Sequence, residues 1–470
     1  QEHYRDPNDV DIPYSVEIRP RIEVLNSTFL RANYSKRQLK EVLVDFWHNH
    51  FNVYAETSGV HSMFVHYDRD VIRANVLGNF RDMLYEVTRS TSMMMYLGNG
   101  VNNVVEPNEN FAREILELHT IGAEHYFGHM PHEDVPADNQ GRRLGYAEDD
   151  VYYMARVLTG WSYDGAHWSD DGNGHAPTGE FMYRDDWHYD GISRIMGQFY
   201  EYDFDDQEKD VNDVLDMLAE HPLTAQFLAK KLCRRFIADE PSQNIINQVA
   251  DSLHQNWQAS DQIKLAMEVL LKSQDFLNTW GEKIKRPFER AVSAMRAVGY
   301  EYSFNPDDSY TNTHRYLFDD TGQMPFTWST PNGFPDVKSH WLGTSSTMAT
   351  WRYIQWFCRE RDDNENPLNI ILNQTLNHFS NANDITPINL VDYWFPQICG
   401  ALPETHTRDK LIEVMAYIYE WDSQIQSSVL SNINDNDVID LSTNEFGGYN
   451  QERLTAMVTL VLLTADFSYR

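Results

Sequence analysis

Apolar residues recur at three- and four-residue spacing along most of this chain, and that period restricts it to packed helices. Leu39, Val42, Leu43, Phe46 and Trp47 form one such stripe, and Ser35 with Gln38 just before it has the form of a capping box. His50 falls on the same stripe, whereas His48 lies about 200° from His50 around a regular helix, so one regular helix cannot offer both to a common ligand. Ile72, Leu77, Phe80, Leu84 and Val87 predict a second helix over 68–89. A third begins after Pro107-Asn108 and stops at Gly122, and a fourth covers 148–159 before Gly160. Helical patterns return over 207–238, 262–277, 285–298 and most of 345–467. Strand signals are sparse. The expected fold is therefore mainly α, a large multi-helix protein with a single core and long irregular loop excursions.

Two stretches break the pattern. Residues 161–206 are rich in Gly, Asp, Trp and His, and residues 300–344 contain Pro325, Pro331 and Pro335. Irregular segments of this length in a compact protein are usually functional or disordered. The predicted organisation is an extended polar arm over 1–34, then a helical core over 35–300 that includes the 161–206 excursion. Residues 301–470, an irregular segment followed by C-terminal helices, pack on the same core. Similar helix ends near 89–94, 271–276 and 463–467 make a faint echo at irregular intervals, which is not a repeat array.

Charge narrows the partners. The 470 residues carry 38 Lys and Arg against 71 Asp and Glu, a formal charge of −33. Such a surface repels a phosphate backbone and anionic membranes, so no nucleic-acid partner is expected. It attracts cations and suits salty surroundings. No apolar run approaches the roughly 20 residues of a membrane span. Three cysteines, Cys233, Cys358 and Cys399, make no disulfide framework. A start at Gln1 without Met suggests a processed N-terminus whose export signal has been removed.

Chemistry concentrates in residues 108–119. On a regular helix Asn110, Arg113, Glu114 and Glu117 fall within about 100° of one another, beside an apolar face of Phe111, Ile115 and Leu118. Unpaired buried charges cost several kcal/mol, so such a face needs partners. Glu114 and Glu117 could give oxygen ligands to a divalent metal or act as an acid–base pair, with Asn110 and Arg113 as catalytic neighbours. A histidine from elsewhere, His50 or His188, would complete a metal site. The competing reading is a buried Arg–Glu network that only fixes helix packing, with His50 a hydrogen-bonded core residue. His125, His129 and His132 lie in a predicted loop and read as solvated. Residues 169–180 resemble a twelve-residue calcium loop, with Asp171, Asn173 and Glu180 at ligand positions, or else form a plain acidic turn. No phosphate-binding loop, dinucleotide fingerprint, haem attachment, His-Glu-x-x-His motif or Gly-x-Ser-x-Gly elbow is present.

The motifs occur in a familiar order. They start with Phe46-Trp47-His48-Asn49-His50-Phe51, Arg73 and Leu77-Gly78-Asn79-Phe80-Arg81-Asp82. Residues 107–122 form the strongest element, followed by Asp150-Val151, Leu158-Thr159-Gly160-Trp161 and His188. His221-Pro222, Lys231-Leu232, Arg235-Phe236, 285–299, Gly322-Gln323, Pro331-Asn332-Gly333-Phe334-Pro335-Asp336 and Trp341-Leu342 complete the series. In these elements the chain resembles the bacterial family known as domain of unknown function 1800. It departs from that pattern in a long His-rich insertion at 123–144 and in Phe334, where the family has Trp.

The resemblance implies a mostly helical protein exported to the periplasm, cell surface or beyond, with a sulfatase- or phosphatase-like protein as a neighbour and partner. It names no reaction. Two readings follow. One is a metal-dependent enzyme, a hydrolase or oxidoreductase, acting on an extracellular substrate through His50, Glu114, Glu117 and His188. The other is a non-catalytic protein that self-assembles into a matrix, filament or complex. Their discriminator is whether the Asn110–Glu117 face lines an open pocket or is sealed in the core, a sealed and fully paired network with no cavity favouring the second.

Overall fold

A computed structural model describes residues 14–167, 177–304, 309–359, 370–422, 427–442 and 450–470. Helices dominate, and the described strands form three two-stranded antiparallel hairpins. The fold is mainly α. The chain divides into two compact units, residues 1–279 with 325–336, and residues 280–324 with 337–470. The seam falls near 280 rather than 300, and twelve residues of the second irregular stretch belong to the first unit.

Of the extended arm expected over 1–34, residues 1–13 lie outside the described residues, and the rest forms a short helix, Tyr14–Glu17, and a longer one, Arg19–Tyr34. Val24, Leu25 and Phe29 bury on one side of it, so an i, i+1, i+5 apolar stripe hidden among polar residues was enough to fold it. Helix Gln38–His50 follows, its Leu43, Phe46, Trp47 and His50 buried as the period predicts. The expected helix over 68–89 is broken. A π-turn covers Tyr67–Ile72, and a new helix, Phe80–Thr88, begins at Asn79, whose side chain accepts from the Arg81 and Asp82 amides. A cap that satisfies two otherwise orphaned amides wins over continuing the old helix.

The 107–122 element is also not one regular helix. An α segment, Glu109–Glu114, runs into a π segment, Ile115–His119. The wider turn shifts every side chain after Glu114 from the angles of an ideal helix, and such turns are frequent at functional sites. Gly122 closes it at φ +99°, its amide bonding the Leu116 carbonyl.

The 161–206 excursion is built from two hairpins, Trp161–Tyr163 with Phe181–Tyr183 and Ile192–Ile195 with Gln198–Glu201. Two buried His–Asp pairs hold it down. His188 donates from Nδ1 to the Thr159 carbonyl at 2.6 Å, and its Nε2 lies 3.1 Å from Asp210. Asp150 accepts from the Ala147 and Met196 amides at 2.7 Å each, and sits 3.0 Å from His132. His132 is therefore buried, not solvated; His129 is exposed as expected. Helices Lys209–Glu220, Pro222–Phe236, Gln243–Gln255 and Gln262–Leu271 complete the unit around a core that includes Trp47, Phe80, Phe111, Leu158 and Leu232.

The second unit packs helices Pro287–Val298, Thr344–Cys358, Pro387–Cys399, Thr405–Ala416 and Asn450–Leu462, with a hairpin at Tyr417–Asp422 and Ser427–Asn432. Its buried residues include Ala291, Tyr353, Trp394 and Leu454. No helix among the described residues is long and apolar enough to cross a membrane.

Candidate active site

The first unit gathers its polar residues from segments far apart in sequence. Helix Gln38–His50 ends on His50, which is 1 % exposed among Trp47, Phe51 and Phe80. Lys231, from helix Pro222–Phe236, donates from Nζ to His50 Nδ1 at 2.8 Å. That fixes the proton on Nε2, which donates to the His119 carbonyl at 3.1 Å. Burial, then the Lys231 charge, holds the His50 pKa well below its ordinary value, so the ring is neutral. Burial also lowers Lys231 to about 8, partly countered by Asp336. His119 is fully buried beside them, and neither of its ring nitrogens has a hydrogen-bond partner. Its pKa falls to about 3, through burial first and then Lys231.

Asp336 comes from the 325–336 segment, and Asn49 and Asn52 dock that segment onto the first unit. Asn49 donates to the Phe334 carbonyl at 2.8 Å and accepts from the Phe334 amide at 2.6 Å. Asn52 donates to the Trp328 and Thr330 carbonyls at 2.9 and 2.8 Å. Gly333 passes so close that a Cβ there would lie 2.1 Å from the Asn49 carbonyl oxygen. His48 points the other way, into an ion-pair network. It lies 3.0 Å from Asp68, which Arg73 also binds, and Arg73 reaches Glu41 at 2.8 Å. Burial works against the Asp68 carboxylate, but the His48 hydrogen bond and the charges around it prevail and lower its pKa.

Glu114 and Glu117 sit on either side of the α-to-π junction, both half-buried. Neither has a hydrogen-bond or ion-pair partner among the described residues. Burial first, then the neighbouring Glu117 charge, raises Glu114 to about 7, against a smaller opposing pull from Arg113. Two tyrosines border the pair. Tyr96 donates its hydroxyl to the Ser329 carbonyl at 2.8 Å. Tyr146 is fully buried, and its hydroxyl has no partner. Burial raises the pKa of both, with the Glu114 charge acting next on Tyr96 and the Glu117 charge on Tyr146.

The other predicted residues have different work. Arg113 is spent on Glu148, at 2.7 and 3.2 Å, and on Glu109 at 3.3 Å. Asn110 ties the helix to the Leu97 carbonyl at 3.0 Å. The structure does not bring the four expected metal ligands together. His50 and His188 each have both ring nitrogens engaged elsewhere, and no group of three or more His, Cys, Asp or Glu among the described residues is placed to hold a metal. Asp171 and Asn173 lie outside the described residues, and Glu180 is exposed near the start of strand Phe181–Tyr183. Sequence reading missed Lys231, His119, Tyr96 and Tyr146. Their only sequence signal was position within or beside the ordered motifs.

Most of these motifs occupy the first unit, from Phe46–Phe51 through residues 107–122 to Pro331–Asp336, while 285–299, Gly322-Gln323 and Trp341-Leu342 fall in the second. The profile described as a protein of unknown function, DUF1800, matches residues 14–469. The chain belongs to the DUF1800 family. It shows no match to the curated proteins or to solved structures. For this DUF1800 protein the chemistry must be argued from the site. Two unpaired carboxylates can pass a proton, or offer oxygens to a hard divalent cation, to which His50 and His188 would contribute nothing.

Proposed function

We propose that this DUF1800 protein is an exported enzyme that works by acid–base chemistry on the Glu114–Glu117 pair. One observation carries the reading: two half-buried carboxylates, three residues apart, with no partner among the described residues. A half-buried carboxylate without a cation costs stability, and a purely structural network would pair it as Arg113 is paired with Glu148. With Glu114 poised near neutral pH, one carboxyl can give a proton while the other takes one. That exchange suits hydrolysis or elimination on an extracellular substrate, and the charge of −33 suits life outside the cell. The same oxygens could hold a divalent cation in place of the shared proton. A sealed, fully paired face would favour the non-catalytic alternative, and the unpaired carboxylates favour the enzyme instead.

The test is turnover of a panel of polysaccharides, esters and amides by the purified full chain, with and without magnesium or calcium. Glu114→Gln and Glu117→Gln should each lower the rate by about 10²–10⁴-fold while the protein stays folded. Turnover that survives in the double variant overturns the assignment.

A further inference from the structure

A cavity lies in the first unit, and neither residue of the carboxylate pair lines it. It is open to solvent, holds about 180 Å³ and is lined by His66, Tyr67, Asp70, Glu86, Arg89 and Phe181, together with the run Ser90, Thr91 and Ser92. A cavity of about 150 Å³ is known to take a benzene ring, so this volume fits one six-membered ring and little more.

Its polar lining is unusually uncommitted. Arg89 stacks its guanidinium on the Phe181 ring at 4.6 Å and near the Tyr85 ring at 5.7 Å, but makes no ion pair among the described residues. Stacking fixes the plane of the guanidinium and leaves its in-plane N–H donors available. Glu86, one turn earlier, likewise has no ion pair or hydrogen bond there. Neither do the Ser90 and Ser92 hydroxyls. By contrast Thr91 donates to the Gly179 carbonyl at 2.6 Å, Tyr67 donates to the Phe51 carbonyl at 2.6 Å, and Asp70 is bound by Arg69 and His66. The open positions are therefore one cationic donor, one anionic acceptor and two hydroxyls that can do either.

That mixture selects a ligand class. An anion would meet Arg89 but also the Glu86 and Asp70 carboxylates. A cation would meet those carboxylates but also Arg89. A neutral ring bearing hydroxyls satisfies all four, because each hydroxyl donates and accepts, and its apolar face can lie on Phe181. We propose that this cavity is a binding subsite for one neutral pyranose-sized sugar residue, held by Arg89, Glu86, Ser90 and Ser92 against Phe181. The subsite stands on its own lining and does not depend on the catalytic reading of Glu114 and Glu117.

Methyl β-glucoside, methyl β-galactoside and methyl α-mannoside, titrated separately into the full chain by calorimetry and saturation-transfer NMR, test it. At least one should bind in the millimolar range. Arg89→Gln should weaken that binding about tenfold, and Ser92→Ala severalfold, with sulfate and acetate failing to compete. Circular dichroism shows whether each variant is folded, and Ser92→Ala decides the matter if Arg89→Gln is not. No binding of any of the three glycosides up to about 100 mM overturns the proposal. So does binding that the folded variants leave unchanged, or sulfate binding tighter than every glycoside.

Discussion

Lys231 Nζ lies 2.8 Å from His50 Nδ1 and joins two helices across 181 residues of sequence. The contact places an amine with a lowered pKa beside a neutral imidazole, with the unpartnered His119 ring next to both.

The Lys231 pKa makes stability pH-dependent in a definite direction. The folded state releases this proton near 8, the unfolded state near its ordinary value of 10.5. Between those values the unfolded chain binds more protons, so Lys231 adds stability as pH rises. Urea melts of the wild type and of Lys231→Met from pH 7 to 11 should diverge across this window, the wild type gaining. Parallel curves would show that the amine is not desolvated.

Glu114 has the opposite sign. Its folded pKa is near 7 against an ordinary 4.5, so the folded state holds the extra proton between these values and stability falls as pH rises through them. Glu114→Gln should escape this loss and be more stable than the wild type at pH 8, by on the order of 1 kcal/mol after allowing for its partial exposure. Carbon-13 NMR of the Glu side chains reads the midpoint directly, and a midpoint in the ordinary carboxylate range would remove the basis for its role as an acid.

His188 supplies a third window. Burial disfavours its charge, but the hydrogen bond and charge of Asp210 outweigh that and raise its pKa. A raised folded pKa gives stability that is fully present below about 6.5 and is lost as pH rises through the folded value. Asp210→Asn should therefore cost most at pH 5–6 and less at pH 9, measured as melting temperature.

Docking of the 325–336 segment can be broken at one residue. Asn49→Ala removes both bonds to Phe334 and should cost about 1–3 kcal/mol. Gly333→Ala should cost more, because φ is +70° and the added Cβ meets the Asn49 backbone. Limited proteolysis should then cut within 325–336 in both variants before it cuts the wild type.

Much of this was legible in the sequence where the physics is local. Leu43, Phe46 and Trp47 of the predicted stripe are buried, while Leu39 at its start is exposed and Val42 half-buried, and Gly122 and Gly160 ended their segments with positive φ. The two carboxylates were also legible, because an acid pair beside an apolar face is a local contradiction. Their setting was not. The π-turn after Glu114 depends on Thr120 and Gly122 bonding back to Ile115 and Leu116, which no helical period encodes. His132 read as solvated because its partner Asp150 is the cap of a helix after the loop.

By itself, the sequence determined helix content, the outline of its boundaries, the family and the acids that stand out, since periodicity, capping and charge act over a few residues. Tertiary structure decided which groups remain without partners. It gave Arg113 to Glu148, His188 to Asp210 and Lys231 to His50, and left Glu114, Glu117 and Tyr146 unpaired. Pairing and desolvation depend on distances between segments brought together by folding, and those distances set the proton affinities on which the chemistry rests.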